Sequence, residues 1–164
     1  MEAVATAYVL KLLLIPRLAH NLELVPDVVG ADIPSVVQTI LIICTDGAFQ
    51  QPHMLRVLMV AGAHGAKNVP ILANDGFRFP TKDFLEDNRA AMQRVTTDTA
   101  ALAQLIADVF KSIAVVFEPQ AYSSTEEVLA AKADAIAERC LKQELLKELQ
   151  FDEDPQKKIT FRDI

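Results

Sequence analysis

Tryptophan is absent from this 164-residue sequence, and only two cysteines, three histidines and five glycines occur. Each scarcity closes off a class of chemistry. Cys44 and Cys140 lie far apart and belong to no paired-cysteine or Cys/His spacing, so neither a disulfide framework nor a zinc site is indicated, and both read as buried thiols. His20, His53 and His64 supply little imidazole for ligating a metal or moving a proton. Carboxylates are left as the source of any chemistry. Basic residues are in deficit as well: 16 Lys and Arg against 22 Asp and Glu give a formal charge of −6. No Lys/Arg cluster stands out that would neutralise phosphates, which argues against nucleic acid as a partner. The glycine-rich fingerprints of dinucleotide folds and P-loops are missing, and so is the GxSxG elbow of serine hydrolases.

The longest apolar stretch, Ala3 to Ala19, is broken by Lys11, Pro16 and Arg17 and falls short of the roughly 20 residues a spanning helix needs. It opens Met1-Glu2, without the basic start or cleavage site of a secretory signal. The expectation is therefore core or docking surface with no membrane contact, in an intracellular, cytoplasmic protein, an organelle being left open.

What the sequence does have is apolar surface: 51% hydrophobic and 23% charged residues, enough to offset chain entropy in one globular domain. Residues 1–150 are read as that domain, with 1–35 as its divergent part and a docking segment, and 151–164 as a charged tail. Three short apolar runs, Ile40 to Cys44, Val69 to Ala73 and Ile113 to Phe117, lack polar alternation, as strands buried on both faces of a parallel sheet do. Pro52 to about Ala63 reads as a helix started by proline and stopped by Gly65. Residues 84–110 read as one or two helices with a break at Thr96-Thr97-Asp98. Ser123, Ser124 and Thr125, followed by Glu126 and Glu127, offer a capping box to a long final helix running to about Gln150. Alternation of this kind specifies an α/β fold, a flavodoxin-like three-layer sandwich with a mainly parallel sheet.

In such sheets ligands meet the carboxyl ends of the strands, which here read Thr45-Asp46-Gly47, Asn74-Asp75-Gly76 and Glu118-Pro119-Gln120. Asp46, Asp75, Glu118 and His53 are thus the candidate ligand-edge residues. Carboxylates also serve turns and caps through local hydrogen bonds, and a histidine at a helix start is commonly just solvated, so these readings compete.

Pro34 to Arg139 resembles a TIR domain (Toll/interleukin-1 receptor type) in order and texture. A buried strand closes with Thr45-Asp46-Gly47-Ala48-Phe49. Gln51-Pro52-His53-Met54-Leu55-Arg56-Val57-Leu58 then stands where that family carries Ser-x-Trp-Cys-x-x-Glu-Leu. His64-Gly65-Ala66-Lys67-Asn68-Val69-Pro70-Ile71-Leu72 is similar to the family's glycine, lysine, x, hydrophobic, proline, hydrophobic passage, and Asp75-Gly76-Phe77-Arg78-Phe79-Pro80 continues it. Ile113 to Cys140 matches the last strand and helix. About two thirds of the chain is covered.

TIR enzymes cleave NAD with the glutamate of that stretch, since a carboxylate can stabilise an oxocarbenium-like transition state. Aligning Phe49 and Leu58 puts Val57 at the glutamate position and His53-Met54 where Trp-Cys would stand. The resemblance therefore implies a degenerate, non-catalytic member with no cofactor: an interaction or structural subunit, or pseudoenzyme, that binds other protein chains or forms a homo-oligomer. The alternative is an NAD-cleaving or nucleotide-binding enzyme in which Asp46, Asp75 or Glu118 replaces the glutamate. The family's first strands do not fit into Met1 to Ser35, although Ala7 to Ile15 could serve as one, so the amino-terminal part is expected to be incomplete or replaced. An apolar amino terminus and an overlong last helix are the expected partner-docking surfaces, with Leu10, Leu13, Leu14, Leu141, Leu145 and Leu149 as the docking residues.

Overall fold

Ile40, Ile42 and Cys44 alternate with Leu41 and Ile43 along the strand β1 (Thr39–Cys44), and both sets are apolar because both faces of this strand are covered. A computed structural model describes residues 2–18, 22–24 and 33–151, with side chains from Ala3 to Leu141 within those ranges. The helices are α1 (Glu2–Leu14), α2 (Pro52–Ala63), α3 (Lys82–Asp87), α4 (Arg89–Gln93), α5 (Thr99–Val109) and α6 (Glu126–Phe151). With the further strands β2 (Lys67–Leu72) and β3 (Val115–Val116), β1 forms a parallel sheet of order β1-β2-β3 among the described residues. The fold is mixed α/β, consistent with a flavodoxin-like sandwich.

Two cores sit on opposite faces of the sheet. Ile40, Ile42 and Cys44 meet α2 through Leu55 and Leu58, and α5 through Leu102, Ile106 and Val109. On the other face Val69, Ile71, Val115 and Phe117 meet Leu10 and Leu14 of α1 and Ala133, Ile136 and Cys140 of α6. Each fully buried Leu, Ile or Phe among these stabilises by about 1.5–3 kcal/mol through removal from water. Both cysteines are free and buried, one in each core, so the sheet itself separates the two thiols.

Local chemistry sets the boundaries. Pro52 occupies the first turn of α2, and past its end Gly65 takes φ 67°, a left-handed value that stops the helix as the sequence predicts. Thr125 opens α6 by accepting a hydrogen bond from the Val128 N–H at 3.4 Å. The Glu127 carboxyl, which accepts from its own N–H and the Thr125 hydroxyl, is held below its ordinary value. Pro70 lies inside the middle strand, paired with Ile42. The amides of Lys67 and Ala73 donate to the β1 side, to Gln38 and Cys44, so the missing N–H of Pro70 belongs to the side facing β3. There pairing is confined to Ile71 with Val115 and Leu72 with Val116, and Phe117 N–H donates to Leu72 at 2.7 Å just beyond.

Three expectations need correction. Ala7 to Ile15 is not a strand: it belongs largely to α1, since Ala, Leu and Lys dominate the segment and favour helix over extended chain. The third run pairs over two residues only and leaves Ile113 exposed. Residues 84–110 are broken twice. Asn88 turns its side chain back, Nδ2 donating to the Phe84 carbonyl at 2.7 Å, and divides α3 from α4, while Asp98 caps α5 by accepting from Ala101 N–H at 2.9 Å. The charged tail from 152 onward lies outside the described residues. No helix among the described residues is long and apolar enough to cross a membrane.

Candidate functional site

The chain leaves β1 through Thr45, turns at Asp46-Gly47 and forms a single 3-10 turn at Ala48–Gln50 before α2 begins. Gly47 makes that turn with φ 73°, which disfavours a side chain, and Phe49 is driven into the core beneath it. The loop after β2 closes in a similar way, Gly76 N–H donating to Asn74 Oδ1 at 2.5 Å. Between these two strand tips lies a cleft of about 500 Å³. Asp46, Arg78 and Asp87 border it with charge, Asn88 supplies a buried amide, 6% exposed, and Phe49, Phe77 and Phe84 supply apolar surface.

Four phenylalanines brace this end of the molecule. Phe49, Phe77, Phe79 and Phe110 form a ring network with centroids 5.4–6.1 Å apart, in tilted, edge-on and stacked pairs. Each pair contributes about 0.5–1.5 kcal/mol beyond simple burial, and together they tie the loop after β2 to the end of α5. The cleft wall is therefore held by packing. Two carboxylates, a guanidinium, a buried amide whose Nδ2 is held by the Phe84 carbonyl, and aromatic surface suit a polar ligand carrying hydroxyls and a planar portion.

Of the ligand-edge residues expected from sequence, the cleft takes in Asp46 only. Asp75 stands exposed in the turn beyond β2, and His53 is half-buried in the first turn of α2. The tip after β3 is folded onto its neighbours: Gln120 Nε2 donates to the Ala73 carbonyl at 2.7 Å, and Ser124 Oγ to the Glu118 carbonyl at 2.6 Å. Neither Glu118 nor Gln120 lines the cleft. Arg78, Asp87 and Asn88 were missed, although the Asp87-Asn88 pair, a helix-disfavouring break in an otherwise helical stretch, was a usable signal. Val57 faces inward from α2, 8% exposed in the first core, and does not line the cleft. Among the described residues no group of three or more His, Cys, Asp or Glu could hold a metal ion.

The expected docking residues divide. Leu10 and Leu14 are buried in the protein's own second core, and Leu13 packs half-buried against it, so these three do not form an outward surface. The face of α1 that does point outward carries Val4, Tyr8 and Leu12, joined by Ile15 in the turn that follows, all exposed by more than half. Lys11 stands half-buried at its border and Arg17 is tied to Asp134 of α6. Leu141 is exposed on α6, while the side chains of Leu145 and Leu149 lie outside the described residues. No family model matches this chain, and no curated protein or solved structure matches it either.

Proposed function

We propose that this chain is a non-catalytic, TIR-like protein-interaction or structural subunit that meets another protein chain through the outer face of α1. One observation carries the reading: α1 is apolar on both faces, and its outward face, with Ile15 in the turn that follows, leaves four large hydrophobic side chains in water. A helix apolar all round is ordinarily covered all round, and a contiguous exposed apolar row marks a contact surface. The absence of catalysis is supported by Val57: the position matched to the family's glutamate holds an aliphatic side chain packed into the core, where it can neither carry charge nor reach the cleft.

The test is recovery of partners. Chain isolated under mild conditions, wild type beside Leu12→Glu, should yield a protein partner that the variant loses while it keeps its fold. Identical recoveries from both, or a wild type that recovers neither another protein nor a second copy of itself, sink the proposal. The cleft supports a second reading, nucleotide or NAD binding, because Asp46, Asp87, Asn88 and Arg78 converge at the strand tips. A thermal shift with NAD, or nicotinamide released on incubation, would favour that reading; the absence of both removes it.

A further inference from the structure

We propose that the partner of this α1 face is a second copy of the same chain, packed α1 on α1 across a two-fold axis; the inference rests on the reading of α1 as a docking surface. The spacing identifies the kind of partner. Ala5, Tyr8, Leu12 and Ile15 follow at steps of three, four and three, the repeat of a coiled-coil seam, so the row is shaped to take another helix. Ile15 continues the helical pattern, its N–H donating to the Lys11 carbonyl at 3.0 Å.

The row is also complementary to itself. No charged side chain stands within the row, Lys11 lying at its border, so a copy sets apolar against apolar along the seam, and closed two-fold association is the commonest assembly of soluble chains. The size agrees with a reversible dimer. Val4, Tyr8, Leu12 and Ile15 expose roughly 400 Å², comparable to the largest apolar patch on an ordinary monomer. Two such rows with Ala5 bury roughly 800–900 Å², below the roughly 1,200 Å² of standard interfaces and in the range of weak, reversible association.

Sedimentation velocity of the full chain over a hundredfold concentration range is the experiment. The wild type should shift from monomer to dimer, and Leu12→Glu should weaken association by about tenfold or more. Tyr8→Ser, a milder change at another exposed site, should weaken it in the same direction with melting unchanged. Both native thiols are buried, so Leu12→Cys should form a covalent dimer on mild oxidation through the new cysteine alone. A wild type monomeric at every concentration, or a dimer indifferent to both Leu12→Glu and Tyr8→Ser, overturns the inference. If that monomer still recovers a different protein through Leu12, the docking surface stands and only its self-recognition fails; if it recovers none, both fall.

Discussion

Leu12 and Leu14 lie two residues apart on α1 and face roughly opposite ways, which makes their truncation a direct test of how this helix is seated. Leu14 is 0% exposed, packed with Val69, Ile71 and Phe117, whereas Leu12 is 70% exposed. Replacing a buried leucine by alanine removes its transfer free energy and leaves a cavity that collapses incompletely, at a cost of about 2–5 kcal/mol. For Leu14→Ala we expect about 3 kcal/mol, a fall of roughly 6–12 °C in melting temperature for a domain of this size. Leu12→Ala removes surface that is already wet and should change stability by no more than about 0.5 kcal/mol. Urea denaturation followed by circular dichroism, at concentrations below those at which the chain self-associates, reads both values on one scale. Equal losses for the two variants, or a neutral Leu14→Ala, would mean that α1 is not docked on the sheet as described, and the account of its outer face would go with it.

Two further predictions address the strand β1 and its tip. Burial pushes the Cys44 thiol from 9.0 up to about 12. Below pH 9 both the folded and unfolded states hold the proton, so pH has no effect through this group; between 9 and about 12 the unfolded thiol ionises and the folded one does not. Stability should therefore decline over that window by up to about 1.4 kcal/mol per pH unit, and the decline should be shallower in Cys44→Ala, as alkaline denaturant titrations would read. A thiol that reacts in the native state at the rate of a free cysteine contradicts the burial. Gly47→Ala forces a side chain into φ 73° and should cost about 1–2 kcal/mol by chemical denaturation; a neutral result would mean that the turn at the cleft is not the one described.

Elements with a clear signal at both ends were legible in the sequence. The helix from Pro52 to Ala63 matches its expected span because proline and glycine punctuate it, and the first two strands were found because both their faces are apolar. The orientation of α1 was not legible: a helix apolar all round gives its periodicity no phase, so the sequence offered Leu10 and Leu14 as outward when they are the inward pair. The cleft was half-visible. Asp46 could be named from the strand-tip rule, whereas the Asp87-Asn88 break marks only where α3 gives way to α4, and their place on the cleft follows from packing across a crossover that the break does not encode.

The proline in the middle strand makes the sheet lopsided. Six residue pairs hold β2 to β1, and two hold it to β3. When the native molecule breathes, the opening should run along that weaker seam, releasing the β3 ladder ahead of the β1–β2 zipper. Amide hydrogen exchange would record this as two tiers of protection: slow for Ile40 and Ile42, whose amides face β2 from β1, and faster for Phe117, whose amide faces it from β3. The strand pair whose tips border the cleft would then stay zipped while the β3 flank of the sheet is already fraying.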